Sequence, residues 1–305
     1  TVLALSKDPE VPAEAPEGYD AADSTWSYKW FKDHYLDGVD FKDERLLRTP
    51  VLHRKMDYYL SKLTPQIPDS VCNALDHLIS LSGDTGLVFK YIVQYSTNKY
   101  ERSKVMGMDA VFVCMAEKYY VPGKATWIDS TQYADIKESY EVRKNLILGV
   151  KASDIILLDT AGQWRGLYDL DAKYTVLVFW DPNCGHCKKE IPKLARDYEK
   201  WKEEGRDIEV FSVSTEFENE DWLKFVKKNN LTFPNVSDNP EVNENAWKYI
   251  QSGQTTLNSL NFRDYWDIYS TPQFYLLDKD KIIIAKRLTS DQIIDFIEGY
   301  EKRFQ

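Results

Sequence analysis

The sequence predicts a mixed α/β fold, in which an all-α half precedes a mixed sheet flanked by helices. The chain has 305 residues, which is enough for two domains. Apolar residues recur at helical spacing up to about residue 148. From Gly149 onward, short apolar runs of strand length alternate with amphipathic segments. We therefore predict a leader over residues 1–20, a helical domain over 21–148 and an α/β domain over 149–305.

The first half combines a disordered leader with several predicted helices. Residues 7–18 are rich in Pro, Glu and Ala and offer almost nothing to bury. Thr49 followed by Pro50 is typical of a helix start, and Ser103 predicts a later helix that includes Val105 and Met108. Another helix is predicted by one apolar stripe, which consists of Val71, Ala74, Leu75, Leu78 and Ile79.

The second half predicts a sheet covered by helices. The final two strands are joined by residues 278–280, which indicates a hairpin. Helices are expected over residues 188–202 and 220–228 and from Ser290 to the end. Predicted strands cover residues 155–159, 175–180, 208–213, 274–277 and 281–285.

The composition argues against several classes of protein. The formal net charge of -10 argues against a nucleic-acid partner, because phosphate binding needs clustered Lys and Arg. No stretch approaches the roughly 20 apolar residues that a membrane helix needs. Four cysteines are too few for a disulfide scaffold of this length. The chain opens at Thr1 without a visible signal segment, so we expect a trimmed or mature product.

Two of the four cysteines form the motif Cys184-Gly185-His186-Cys187. The strand over 175–180 precedes it, and Cys184 is expected to open a helix, whose N-terminus stabilises a thiolate. Gly185 is expected to let the backbone turn tightly, and protonated His186 to favour the thiolate. Cys187 lies one helical turn on, where it can resolve a mixed disulfide. Dithiol/disulfide exchange by a redox-active Cys184–Cys187 disulfide, with no further cofactor, is the chemistry that these residues favour.

Other uses of a Cys-x-x-Cys pair fit less well. A structural zinc site needs about four ligands, and no second pair is present, so no metal is expected. Covalent haem attachment would need histidine directly after Cys187, where Lys188 stands. An inert structural disulfide stays open as an alternative.

The stretch from Trp180 to Pro192 resembles the active-site segment of the thioredoxin superfamily, and more narrowly that of the TlpA/ResA-like, AhpC/TSA-related branch. Pro192 falls where that superfamily kinks its active-site helix, and Glu190 matches a glutamate of this branch. Downstream, Ser270-Thr271-Pro272 matches the family's cis-proline loop. The resemblance covers about residues 149–305 and implies a thioredoxin-like fold. The helical half resembles domains found upstream of such folds in envelope proteins of Bacteroides-type bacteria.

The resemblance also implies a set of site residues. Val178 stands where cytosolic thioredoxins have a buried acid, so Glu190 is the expected proton acceptor for Cys187. Asp181 replaces the threonine that peroxiredoxins require, which argues against a peroxidase. A cis Thr271–Pro272 bond would place the Thr271 backbone beside the cysteines, where an extended substrate can pair with it. The expected catalytic residues are Cys184, Cys187 and Glu190, and the expected substrate-binding residues are Trp180, Pro182, Gly185, His186, Thr271 and Pro272.

Two further features of the sequence allow more than one interpretation. Cys72 and Cys114 are predicted to be buried free thiols, and a second redox pair would require their Cα atoms to lie within about 7 Å of each other. Residues 251–269 form a longer connection than the fold requires. They are expected either to wall the active site and select substrates or to form a tolerated surface insertion.

These observations predict a thiol–disulfide oxidoreductase of the cell envelope or periplasm. The resemblance favours a reductase, and a lipid anchor would hold the protein at the envelope. Its expected partners are protein disulfides and an upstream electron donor, and a homodimer through the helical domain is a further expectation. A disulfide oxidase or isomerase is the alternative within the enzyme class. The alternative from another class is a non-enzymatic binding module that keeps the fold for protein contacts.

Overall fold

The computed structural model describes residues 7–216 and 219–304, with the side chain of Phe304 excluded. The chain forms two compact units that divide between Tyr140 and Glu141. Of the predicted leader, residues 1–6 lie outside the described residues, and residues 7–20 contain neither helix nor strand. The ammonium group of the buried Lys55 donates to the Lys7 carbonyl over 3.2 Å, so the described part of this segment contacts the helical unit.

The described residues of the first unit form helices joined by loops and contain no strand. A 3-10 helix over Glu44–Arg48 and a π-helical turn over Ala116–Tyr120 lie between the α-helices. The α-helices are α1 (Trp26–His34), α2 (Pro50–Ser61), α3 (Pro68–Ser82), α4 (Leu87–Glu101), α5 (Asp109–Met115) and α6 (Ser130–Arg143), of which the last crosses the division between the units.

Local sequence explains the start of α2. The Thr49 hydroxyl accepts a hydrogen bond from the Val51 backbone over 3.3 Å, and Pro50 occupies the first turn of α2, as predicted. The apolar stripe of α3 is buried, which confirms its predicted core face. The helix predicted after Ser103 is wrong at its start, because α5 begins only at Asp109. Gly107 has a φ of +84°, a left-handed conformation that no α-helix continues through.

Cys72 and Cys114 form a disulfide between α3 and α5, which corrects the prediction of two free thiols. Their Cα atoms lie 6.7 Å apart, within the range that a disulfide spans. The two residues are 42 positions apart in sequence. Only the packing of α3 beside α5 brings them together, so no local pattern could have indicated the pair.

The second unit contains a mixed sheet with helices around it. Seven strands of the described residues are arranged in the order β2-β1-β5-β4-β3-β6-β7. The strands are β1 (Ile156–Asp159), β2 (Trp164–Gly166), β3 (Tyr174–Trp180), β4 (Ile208–Ser214), β5 (Asn235–Ser237), β6 (Gln273–Asp278) and β7 (Ile283–Lys286). The helices are α7 (Cys187–Glu203), α8 (Glu220–Lys228), α9 (Pro240–Glu244), α10 (Ala246–Gln251), α11 (Leu257–Leu260), α12 (Phe262–Tyr265) and α13 (Ser290–Phe304), with a 3-10 turn over Leu167–Asp169.

Strand β3 is the centre of this sheet and is buried along its whole length. It pairs in parallel with β4, where Val178 faces Ser212, and antiparallel with β6, where Val178 faces Phe274. A strand buried on both faces reads as a continuous apolar run, which is why its sequence was recognisable. The predicted hairpin is confirmed, because β6 and β7 pair antiparallel. The mixed α/β class and the thioredoxin-like arrangement are therefore correct.

Residues 251–269 contribute buried side chains to the core of this unit, so the segment is more than a surface insertion. Phe262 and Trp266 are fully buried, and their ring centroids lie 5.9 Å and 5.4 Å from that of Phe179 on β3. The Ser259 hydroxyl accepts a hydrogen bond from the Ile156 backbone of β1 over 3.0 Å. Aromatic burial of this size stabilises the fold, so the length of the segment has a structural reason.

No helix within residues 7–216 and 219–304 is long and apolar enough to cross a membrane.

Candidate active site

The cysteine pair lies where the central strand gives way to a helix. Strand β3 ends at Trp180, and α7 begins at Cys187. This corrects the expected helix start at Cys184, which instead lies in the preceding turn. The Cys184 carbonyl accepts a hydrogen bond from the Lys188 backbone over 3.1 Å, so Cys184 still borders the free amides of the first helical turn.

Cys184 is the accessible member of the pair and is half-buried. Burial acts to raise the pKa of its thiol. Hydrogen bonds from the Cys187 and His186 backbones, and from the side chains of Thr271 and Cys187, outweigh burial and lower the pKa below its usual value. A lowered pKa increases the thiolate fraction at neutral pH, and the thiolate is the nucleophile.

Cys187 has the opposite environment. Its side chain is fully buried, and burial raises the pKa of its thiol to about 12. The backbone N–H of Asp181 lies 3.5 Å from its sulfur and opposes this rise only in part. Both cysteines are free thiols in this structure. The site therefore holds one reactive thiol at the surface and one protonated thiol beneath it.

The cis-proline loop closes over the pair. The Thr271–Pro272 peptide bond is cis, as predicted, and the Cys184 sulfur lies 3.2 Å from the Thr271 carbonyl oxygen. These residues are 87 positions apart, and the antiparallel pairing of β6 with β3 brings them together. A polypeptide bound along Thr271 would thus have its sulfur beside that of Cys184.

Gly185 and His186, the two residues between the cysteines, are both exposed, and their expected roles stay predictions. Gly185 does not adopt a left-handed φ, and a Cβ added there would meet no atom within 4 Å. The backbone conformation at this position therefore does not require glycine. His186 is exposed, and it is its backbone amide that contributes to lowering the pKa of Cys184.

Trp180 and Pro182 support the loop from beneath. Both are buried, and the Trp180 indole N–H donates to the Ser212 hydroxyl on β4 over 2.6 Å. The Trp180 ring also packs against Phe225, with the ring centroids 4.9 Å apart. The expected contact of Trp180 and Pro182 with substrate stays a prediction, since neither side chain reaches the surface in this structure.

Glu190 lies on α7, three residues after Cys187 and therefore on the same face of the helix. Its side chain is half-buried, and its Oε2 atom is buried without a hydrogen-bond partner among the described residues. Buried carboxylate oxygens normally have a partner, and an exception calls for an explanation. A carboxylate that accepts a proton during reaction is one such explanation.

A polar network beside the loop was not indicated by the sequence. The Glu216 carboxylate accepts hydrogen bonds from the Asn183 side chain over 3.2 Å and from the Trp222 backbone over 2.9 Å. Burial, together with nearby Asp221 and Asp181, raises the pKa of Glu216. Glu216 lies two residues after the end of β4, and it reaches the cysteine loop because β4 and β3 are parallel and adjacent.

A second contact fixes the same loop from the long connection. The Arg263 guanidinium donates to the Thr215 carbonyl over 2.8 Å and pairs with Asp238 over 2.6 Å. Asp238 is almost fully buried. The Thr215 backbone in turn donates to the Trp180 carbonyl over 2.8 Å, so Arg263 holds the end of β3 in place through one intermediate residue.

Residues 7–216 and 219–304 contain no group of three or more His, Cys, Asp or Glu side chains that could hold a metal ion.

Comparison with known proteins assigns both halves of the chain. Residues 148–286 match the AhpC/TSA family, and residues 6–145 match a domain of unknown function, DUF5106. The thiol-disulfide oxidoreductase ResA of Bacillus thuringiensis is 25% identical over 161 residues, which are 53% of this chain and 80% of ResA.

Solved structures add to this comparison. A thioredoxin-like protein from Bacteroides caccae covers 96% of this chain and 97% of its own, with 20% identity and a TM-score of 0.61, which shows a shared fold. A domain described as a possible thiol-disulfide isomerase from Cytophaga hutchinsonii is 38% identical, covers 52% of this chain and 95% of its own, and has a TM-score of 0.43. Residues 148–286 thus form an AhpC/TSA-family, thioredoxin-like domain with ResA homologues, and they follow a DUF5106 domain over residues 6–145.

Proposed function

We propose that this protein is a thiol–disulfide oxidoreductase that reduces protein disulfides through Cys184 and Cys187. The observation that carries this proposal is the contrast between the two thiols. Cys184 is accessible and its pKa is lowered, whereas Cys187 is fully buried and its pKa is raised to about 12. An inert structural disulfide needs no such difference, whereas a nucleophile with a resolving partner does.

The reaction follows from this arrangement. The Cys184 thiolate attacks one sulfur of a substrate disulfide, a new S–S bond forms, and the other substrate sulfur leaves as a thiolate. Cys187 then loses its proton to Glu190 and attacks the Cys184 sulfur, which releases the second substrate thiolate. The substrate gains two electrons and the Cys184–Cys187 pair loses two. A separate dithiol donor must return them before the next turnover.

Glu190 is proposed as the proton acceptor because Cys187 needs one. A thiol with a pKa near 12 is almost entirely protonated at neutral pH, so it cannot attack without a base. The Oε2 atom of Glu190 has no hydrogen-bond partner among the described residues, and Glu190 lies one helical turn from Cys187. Thr271 and Pro272 are proposed to orient the bound substrate chain.

A trapping experiment tests the roles of the two cysteines. Cys187→Ser leaves the nucleophile in place but removes the resolving thiol, so a mixed disulfide with insulin should accumulate on Cys184 and be detected by mass spectrometry. Cys184→Ser is the matched control and should trap nothing. Equal trapping by both variants would refute the assignment.

A redox titration against glutathione tests the direction of the reaction. A midpoint near about −270 mV would support a reductase, and one between about −180 and −120 mV would identify an oxidase or isomerase instead. If the pair cannot be reduced without unfolding the protein, the enzyme proposal fails and a binding module takes its place.

An oxidising compartment, the cell envelope or periplasm, is the proposed location. The Cys72–Cys114 disulfide supports this, because structural disulfides persist outside the reducing cytosol. We further propose that the helical half positions a partner or a second copy of the chain. Light scattering on the purified protein tests the homodimer directly.

A further inference from the structure

Tyr269 is the most exposed large side chain of the second unit. It is 90% exposed, whereas Trp247, the next most exposed aromatic of that unit, is 72% exposed. Tyr269 lies two residues before Thr271, whose carbonyl oxygen is 3.2 Å from the Cys184 sulfur. Two residues of extended chain span at most about 7 Å, so the Cα atom of Tyr269 lies within about 7 Å of that of Thr271.

The backbone on both sides of Tyr269 is held firmly. Trp266 is fully buried, and its carbonyl accepts hydrogen bonds from Gln273 over 3.3 Å and from the Tyr275 hydroxyl over 3.2 Å. The Asp267 carboxylate lies 3.6 Å from the Arg143 guanidinium. These contacts close the ends of the loop onto β6 and the core, so the exposure of Tyr269 does not result from an unanchored segment.

The fold itself makes little use of the Tyr269 side chain. Tyr269 forms no hydrogen bond and no ring contact with another described residue, whereas Trp266, three residues earlier, packs against three aromatic rings. A tyrosine on a rigid loop loses little conformational entropy on binding, and its ring offers a large apolar face. Such residues are typical of binding surfaces.

We propose that Tyr269 determines substrate specificity by packing against an apolar side chain next to the reacting cysteine of a polypeptide substrate. This inference rests on the function proposed above, and it names the class of substrate: polypeptides whose disulfide cysteine has apolar neighbours. Successive residues of an extended chain are about 3.3 Å apart, so a substrate bound along Thr271 would carry a residue flanking its cysteine toward Tyr269.

The test compares two synthetic peptides, each with one cysteine joined to glutathione by a disulfide. One peptide has leucine and the other has serine on both sides of the cysteine, and dithiothreitol supplies the electrons. The full-length protein should reduce the leucine peptide with a KM about tenfold lower than that for the serine peptide and with a similar kcat. Tyr269→Ala should lose this preference, and Tyr269→Phe should retain it.

The controls separate recognition from folding and from chemistry. Trp247→Ala removes an exposed aromatic side chain from α10. In that helix Tyr249 contacts Trp164 on the edge strand β2, which is far from β3. The Trp247→Ala variant should retain the leucine preference. All variants should reduce hydroxyethyl disulfide at the rate of the unaltered protein. Two results would overturn the inference while the proposed function stands. In the first, Tyr269→Ala keeps the leucine preference; in the second, it loses activity on hydroxyethyl disulfide as well. Failure of the unaltered protein to reduce any of the three disulfides would overturn both.

Discussion

The difference between the two active-site thiols predicts a large difference in alkylation. Burial raises the pKa of Cys187 from 9.0 to about 12, so its thiolate fraction at neutral pH is about a thousandfold below that of an ordinary thiol. A thiolate of higher pKa is intrinsically more nucleophilic, which recovers about 20-fold. We therefore expect iodoacetamide to modify Cys187 about 50-fold more slowly than an ordinary thiol, before its lack of solvent access slows it further.

Cys184 should behave in the opposite way. Because its pKa is lowered, its alkylation should reach a plateau at a lower pH than that of an ordinary thiol. The measurement is a series of alkylation rates from pH 5 to pH 11 on the reduced protein, with each modified peptide quantified by mass spectrometry. Cys184→Ser isolates Cys187, whose main perturbation, burial, does not depend on Cys184.

The control is the same protein in denaturant, where both cysteines should react at similar rates. If Cys187 in the folded protein is alkylated within threefold of the rate of Cys184, the assignment of nucleophile and resolving thiol is wrong. An inflection for Cys184 above pH 9 would equally contradict the stabilised thiolate.

Three further predictions follow from single contacts. Glu190→Gln should slow resolution of the mixed disulfide about 100-fold, because it removes the proposed base, and quenched-flow measurement of the adduct lifetime checks this. Reduction of the Cys72–Cys114 disulfide, which closes a loop of 42 residues, should lower the free energy of unfolding of the helical unit by about 4 kcal/mol in urea. Arg263→Met should cost about 3 kcal/mol in the same assay, because it leaves the buried Asp238 carboxylate unpaired.

Each of these predictions has a matched control. Glu203→Gln, at the exposed end of α7, should leave adduct lifetime unchanged, and Glu190→Gln should leave Cys184 alkylation unchanged. A Cys72→Ser variant should match the reduced protein in stability. Adding Asp238→Asn to Arg263→Met should recover part of the lost stability. No recovery would show that the cost arises from packing and not from the unpaired charge.

The sequence alone predicted most strands and helices of the α/β unit. Strand β3 and the helix after it were recognisable because each depends on a local pattern: a continuous apolar run and an amphipathic stretch. The cis bond before Pro272 was predicted from the motif around it. The start of α5 was missed because the positive φ of Gly107 depends on how the chain must turn there, and the residue type does not reveal that.

For the candidate site, too, local features were predictable from the sequence and long-range features were not. The sequence by itself determined that Cys184 and Cys187 are close together at a strand-to-helix junction, because their spacing is local. Only the tertiary structure decided which thiol is exposed and that Cys72 meets Cys114. It also showed that the Tyr269 side chain, two residues before Thr271, is 90% exposed. Exposure and long-range pairing depend on which distant segments pack over a residue, and no local pattern carries that information.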